Sequence, residues 1–111
     1  MNRPKIKGTS WETAIVNFLR EAGWPDVERR ALNGTKDRGD IAGLRGIVVE
    51  AKNAARLDLA GWLTEAEMER INAGADIAAV WAKRKGKTSP GQGYVIMSGT
   101  DFLILVAQAG R

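Results

Sequence analysis

The sequence predicts an α/β domain with one central mixed β-sheet flanked by helices. Two segments carry the apolar spacing of amphipathic helices, and short runs rich in β-branched residues lie around them. The order is helix, three strands, helix, two strands and a terminal apolar segment, which is typical of a layered α/β fold. Because 111 residues suffice for one hydrophobic core, we expect residues 9–111 to form a single domain around a five-stranded sheet.

The composition restricts the chemistry that this chain can perform. It has neither cysteine nor histidine, which excludes disulfides, thiol nucleophiles, imidazole bases and zinc sites of the usual kind. A catalyst of this composition must work with carboxylates, lysine and a hard metal ion. The net charge of +4 suits a polyanionic partner, although a soluble basic domain without such a partner would also carry it. No apolar run approaches the ~20 residues of a membrane span, and nothing resembles a signal peptide.

The N-terminal part divides into a basic segment and a helix. Residues 1–8 have no apolar periodicity, and we expect a flexible basic arm that either contacts phosphates or only tethers. An apolar stripe then predicts a helix over residues 9–22, ended by Gly23 and Pro25. Glu12 lies in its first turn at the edge of this stripe, where an acid can simply complement the helix dipole.

The strongest functional signal lies within residues 39–52. Asp40 opens a short strand, a turn follows, and Glu50 and Lys52 occupy positions i and i+2 of a β-branched second strand. Side chains alternate along a strand, so Glu50 and Lys52 are predicted to share one face. A hairpin would bring Asp40 towards Glu50, and two carboxylates with the carbonyl oxygen of Ala51 form an oxygen site that suits Mg²⁺.

Two alternatives remain open for this stretch. Glu and Lys often alternate on exposed strands for solubility, although this acid lies in an otherwise apolar strand, where an unpartnered carboxylate is costly. Asp37, in the loop over residues 32–39, is the alternative to Asp40. That loop follows a short predicted strand over residues 26–31.

The second half continues with a helix over residues 58–73, capped by Asp58. Strands are expected over residues 77–82 and 94–97, joined by a basic, glycine-rich connection. Residues 101–108 fit either a helix or a strand. On the second helix we expect Glu65 and Glu69 away from the centre of the buried stripe, and that stripe is predicted to comprise Leu59, Trp62, Leu63, Ala66 and Ala73.

The chain resembles the PD-(D/E)XK nucleases, and within them the small archaeal-type Holliday junction resolvases and their phage-encoded relatives. Glycine replaces the leading proline of the motif name. The resemblance implies a restriction-endonuclease-like fold with Glu12, Asp40, Glu50 and Lys52 as catalytic residues. It rests on Glu12 in a helix, Arg29-Arg30 in the next strand, Gly39-Asp40-Ile41, and Glu50-Ala51-Lys52-Asn53.

The resemblance therefore predicts a divalent-metal-dependent endodeoxyribonuclease that acts on branched DNA as a homodimer. Because nothing in the sequence indicates export, we expect it in the cytoplasm, that of a bacterial or phage-infected cell. Mg²⁺ is the expected cofactor and Mn²⁺ a possible substitute. A flap, nicking or nonspecific nuclease and a catalytically silent nucleic-acid-binding protein are the alternatives. The expected metal ligands are Asp40, Glu50, Ala51 and Glu12. The expected DNA contacts are Arg29, Arg30, Lys36, Arg38, Lys83, Arg84, Lys85 and Lys87, and the candidate subunit contacts are Met68, Ile71, Phe102 and Leu105.

Overall fold

A computed structural model describes residues 3–30 and 37–111, and over these ranges the chain folds into a mixed five-stranded sheet with three α-helices. In chain order, the elements are α1 (Arg3–Glu21), β1 (Glu28–Arg29), β2 (Ile41–Ala42), β3 (Ile47–Lys52), α2 (Leu59–Ala73), β4 (Ile77–Ala82), β5 (Tyr94–Ile96) and α3 (Gly99–Gln108).

The strands lie in sequence order, β1-β2-β3-β4-β5. The first three form an antiparallel meander, β4 runs parallel to β3, and β5 returns antiparallel to β4. The connection between the parallel strands passes through α2, as a crossover must. The predicted α/β class and the mixed five-stranded sheet flanked by helices are thereby confirmed.

The two faces of the sheet carry separate cores. On one face, Trp11 and Ile15 of α1 pack in a cluster that includes Val49 of β3. On the other face, α2 packs against Val80 and neighbouring residues of β4. Because β3 alternates faces, Glu50 and Lys52 point away from α1 and towards α2.

The ends of α2 follow the sequence prediction. The Asp58 side chain caps the helix by accepting from the Gly61 amide at 3.1 Å, and Gly74 ends it with a φ of 67°, a conformation in which glycine has no steric penalty. The terminal segment, for which helix and strand were both open, is the helix α3. Its cap is Ser98, whose hydroxyl accepts from the Asp101 amide at 3.0 Å.

The N-terminal elements, α1 and β1, differ from the sequence prediction. The helix α1 begins at Arg3, so residues 3–8 are helical, in place of the predicted flexible arm. Proline is tolerated in a first helical turn because the amide it lacks has no acceptor there, and Pro4 therefore does not delay the helix. The strand β1 is limited to Glu28–Arg29. Within the two described ranges, no helix is long and apolar enough to cross a membrane.

Candidate metal centre

Asp40 is held at the edge of β3 by its backbone and by its side chain. Its amide donates to the Val49 carbonyl at 2.9 Å, and its Oδ2 accepts from the Ala51 amide at 2.9 Å. The preceding Gly39 has a φ of 93°, and a Cβ atom there would lie 2.9 Å from Val48 Cγ1. A residue with a side chain would be strained and crowded here, so the glycine allows the acid to approach β3.

Glu50 and Lys52 share the face of β3 that is turned to α2, as predicted. Lys52 Nζ lies 3.2 Å from Glu50 Oε2 and 2.7 Å from Glu65 Oε1. Burial lowers the pKa of the Lys52 amine, but the carboxylates of Glu65 and Glu50 more than offset this and raise its pKa above the ordinary value. The lysine is therefore protonated at neutral pH.

The helix α2 adds two acids to the site. A step of two residues along a strand covers ~6.6 Å and a step of four along a helix covers ~6 Å, so pairs of side chains on β3 and α2 can face one another in register. Lys52 accordingly faces Glu65, and Glu50 faces Glu69 one helical turn further along. Glu69 is only 1% exposed.

Asp37 reaches the same place from the loop before β2. Its Oδ1 accepts from the Gly39 amide at 2.9 Å, and its carbonyl accepts from Asn72 Nδ2 of α2 at 2.9 Å. One carboxylate oxygen from each of four residues lies within 4.8 Å of the others; the four are Asp37, Glu50, Glu65 and Glu69.

Buried carboxylate oxygens in this cluster have no hydrogen-bond donor. Glu50 Oε1 and both oxygens of Glu69 are without a partner among the described residues. Burial, and next the charge of Asp40, raise the pKa of Glu50 to about 8. Burial, followed by the adjacent Glu50, raises the pKa of Glu69 to about 10. Because unpartnered buried carboxylates are costly, these orphaned oxygens fit a site that takes up a hard cation.

Asp40 lies beside this cluster, close enough to interact with Glu50. Burial raises its pKa above the ordinary value, while the hydrogen bond from the Ala51 amide lowers it in part. The structure therefore places Asp40 next to Glu50 and Lys52, but among the described residues Asp40 is not one of the four clustered carboxylates.

Glu12 is placed differently. Its Oε1 pairs with Arg29 Nε at 3.1 Å. Burial raises the pKa of Glu12, and the charge of Asp40 adds to this, so the two acids are near neighbours. Among the described residues, however, Glu12 is not a member of the four-carboxylate cluster. Its salt bridge also occupies Arg29, which is one of the predicted DNA contacts.

The remaining predicted cations are divided between two places. The Lys83 amide donates to the Lys52 carbonyl at 2.8 Å, because the parallel strands β3 and β4 end at the same edge. The basic loop therefore starts beside the acidic site, and a pocket opens between residues 53–55 and residues 83–86. Arg84 stacks on the Tyr94 ring at 5.8 Å.

The other cations lie near β1 and β2. Arg30 follows β1, and its Nε is buried without a partner in the part of the chain that the structure describes. Arg38, two residues before Asp40, is exposed. Lys36 falls outside the described residues.

The position of Glu69 corrects the sequence analysis. Seven residues after Trp62, it lies only ~20° from that residue around the helix, and thus at the centre of the buried stripe. Leu59, predicted to be buried, is 48% exposed, and Ala73 is exposed as well. The sequence does contain a signal for this position, because the spacing of Trp62, Ala66 and Glu69 puts all three side chains on one face of the helix.

Comparison of the chain with protein-family models, with curated proteins and with solved structures finds no match.

Proposed function

We propose that the chain is a divalent-metal-dependent endodeoxyribonuclease with a restriction-endonuclease-like fold, which hydrolyses phosphodiester bonds in branched DNA. The observation that carries this proposal is the convergence of Asp40, Glu50 and Lys52 at the edge where β3 ends. Glu50 is buried there, with one oxygen beside the lysine amine and the other without a donor among the described residues. The order of these residues in the chain matches the nuclease motif that the sequence resembles.

The proposed metal ligands are Asp40, Glu50 and the carbonyl oxygen of Ala51, with Mg²⁺ as the expected ion and Mn²⁺ as its substitute. The bound ion would polarise a phosphoryl oxygen and lower the pKa of a bound water. The resemblance adds Glu12 to this set, and its salt bridge to Arg29 would have to open before the carboxylate could serve as a ligand.

Lys52 is proposed to act as a fixed cation. Because its pKa is raised by two carboxylates, it cannot readily take a proton from water at neutral pH. An ammonium group at this position would instead stabilise the negative charge that develops on the phosphate in the transition state. Of the roles that a lysine can have in such a site, the geometry favours charge neutralisation over general base catalysis.

The proposed path of the DNA backbone runs over the basic loop after β4. Lys83 and Lys85 line a pocket whose opposite wall is formed by residues 53–55, directly beyond Lys52. Cations in this place suit phosphates that flank the one being cleaved, and such contacts position DNA without reading its sequence. Arg30, whose amide donates to the Asp40 carbonyl at 2.8 Å, and the exposed Arg38 are close to Asp40 along the backbone.

A homodimer is proposed because two incisions are needed to resolve a four-way junction, whereas the described residues of one chain form one candidate site. Symmetric dimers are the common solution for such a task. Apolar side chains on the outer surfaces of α2 and α3 are more than a third exposed and suit a subunit contact; they are Met68, Ile71, Phe102 and Leu105.

The proposal is tested by incubating the purified chain with equal amounts of labelled four-way junction, flap, single-stranded and linear duplex DNA. Each substrate is offered with Mg²⁺ and with EDTA. We expect cleavage in Mg²⁺ alone, fastest on the junction. Equal cleavage of flap or duplex would replace the resolvase assignment by a more general nuclease. Binding without cleavage of any substrate would overturn the enzyme assignment in favour of a nucleic-acid-binding protein.

A further inference from the structure

We propose that α2 and the loop before β2 form a second divalent-cation position, held by Glu69, Glu65 and Asp37 and sharing Glu50 with the metal site at Asp40. This inference rests on the proposed function only in taking Asp40 and Glu50 as ligands of the first ion. The nuclease motif that the sequence resembles contains none of the three added residues.

The first support is geometric. Oxygens of Asp37, Glu50, Glu65 and Glu69 all lie within 4.8 Å of one another, and two ligands on opposite sides of a hard divalent cation are separated by ~4–5 Å. One ion can therefore contact all four carboxylates. Asp40 is outside this group of four, so an ion at the Asp40 and Ala51 side of Glu50 would occupy a different place.

The second support is the state of Glu69. It is 99% removed from solvent, since only 1% of its surface is exposed, and neither of its carboxylate oxygens has a hydrogen-bond partner among the described residues. A buried structural acid is normally hydrogen-bonded or paired with a base. Glu69 instead points at three other carboxylates, which is an arrangement that a cation stabilises.

The third support is charge balance. Five carboxylates gather between β2, β3 and α2 when Asp40 is included. The ion pairs of the described residues supply them with one cation, the Lys52 amine. One divalent ion would leave two negative charges for protons to neutralise, whereas two divalent ions and the ammonium group balance the five carboxylates in their ionised form.

The loop and the helix are also fixed relative to one another at this place. Asn72 of α2 donates to the Asp37 carbonyl at 2.9 Å, and Asp37 in turn accepts from the Gly39 amide. The second position is thus assembled from elements that hydrogen bonds already hold together. Oxygen-only ligation by carboxylates selects hard ions such as Mg²⁺, Mn²⁺ and Ca²⁺.

The test counts Mn²⁺ ions bound to the full chain without DNA, from the loss of the free-ion signal in electron paramagnetic resonance. We expect two ions per chain for the unmodified protein and one for Glu69→Gln. The matched control is Glu67→Gln, on the same helix, where the carboxylate pairs with Arg70 at 2.6 Å. This control should still bind two ions.

Circular dichroism melts accompany each variant to establish that it folds. If Glu69→Gln does not fold, the exposed Glu65→Gln replaces it and should also reduce the count to one. A count of one or none for the unmodified protein, or an unchanged count of two in the folded variants, would overturn the inference. The nuclease proposal is tested separately by the cleavage assay. If the chain binds two ions but cleaves no DNA, the proposed function is wrong and the second cation position still stands.

Discussion

Glu50 and Glu69 are a pair of buried acids in contact, one from β3 and one from α2. No donor in the described residues reaches Glu50 Oε1 or either oxygen of Glu69, and burial raises the pKa of both carboxyl groups, which favours their protonated forms when no cation is bound. Lys52 stabilises only the other oxygen of Glu50. At the scale of single residues, a cation at the proposed site would therefore have to displace protons from these carboxyl groups.

This pair predicts how the stability of the metal-free protein depends on pH. The pKa values of Glu50 and Glu69 are raised from 4.5 to about 8 and about 10, so above pH 4.5 the folded chain holds protons that the unfolded chain has released. The free energy of unfolding should then fall as the pH rises towards 8. Each kcal/mol lost lowers the melting temperature by roughly 4–8 °C in a domain of this size.

Differential scanning calorimetry in EDTA between pH 5.5 and 8.5 measures this effect. We expect a melting temperature that decreases over this range, a smaller decrease in Glu69→Gln, and recovery at pH 8 when Mg²⁺ is added. Glu67→Gln should behave as the unmodified chain, since the pKa of Glu67 is lowered by its hydrogen bond to Arg70. A melting temperature that is constant or rises with pH in EDTA would contradict the account of this pair.

At the scale of elements, local sequence signals predicted the ends of α2 and the faces of β3 correctly, whereas features that depend on tertiary contacts were missed. Asp58 and Gly74 mark the ends of α2 through hydrogen bonds within a few residues, and the alternation of β3 placed Glu50 and Lys52 on one face. The start of α1 at Arg3 was missed although proline is tolerated in a first turn, and the burial of Glu69 depends on the strand that faces α2. In the sequence alone, Glu69 looks like a polar break in the apolar stripe of α2. Its buried position is explained only when the facing strand is known to carry Glu50 and Lys52.

The basic loop gives a prediction at this same scale. If Lys85 contacts a phosphate, Lys85→Ala should weaken DNA binding and reduce the log–log salt slope by ~0.9. Arg45→Ala is the matched control, because this exposed cation lies in the turn before β3, at the end remote from the site. Fluorescence anisotropy with a labelled junction in Ca²⁺, at several salt concentrations, measures both slopes. If both variants lose DNA affinity equally, the attraction to DNA is a general effect of positive charge, and the DNA backbone does not pass over this loop in particular.

At the scale of the whole molecule, the sheet separates two different surfaces. The α1 side is closed by a core around Trp11 and Ile15. The opposite side carries both the acidic site and the exposed apolar side chains of α2 and α3, of which Phe102 is 54% exposed. A dimer formed through α3 would therefore leave α1 facing outwards.

Light scattering at micromolar concentration tests this arrangement. We expect the mass of a dimer for the unmodified chain and the mass of a monomer for Phe102→Asp, because a buried charge at the contact is costly. Trp24→Asp is the control, as Trp24 follows α1 and is similarly exposed; it should remain dimeric. A monomeric mass for the unmodified chain, unchanged by junction DNA, would exclude the homodimer.

Glu50 is proposed to work with Asp40 and Lys52 in metal-dependent cleavage. The most direct test of this proposal compares Glu50→Gln with Glu67→Gln on a labelled four-way junction in Mg²⁺, with binding measured in parallel in Ca²⁺. We predict that Glu50→Gln loses about 100-fold or more of the cleavage rate and still binds the junction, whereas Glu67→Gln cleaves as the unmodified chain does. Cleavage by folded Glu50→Gln at the unmodified rate would contradict the assignment of this site.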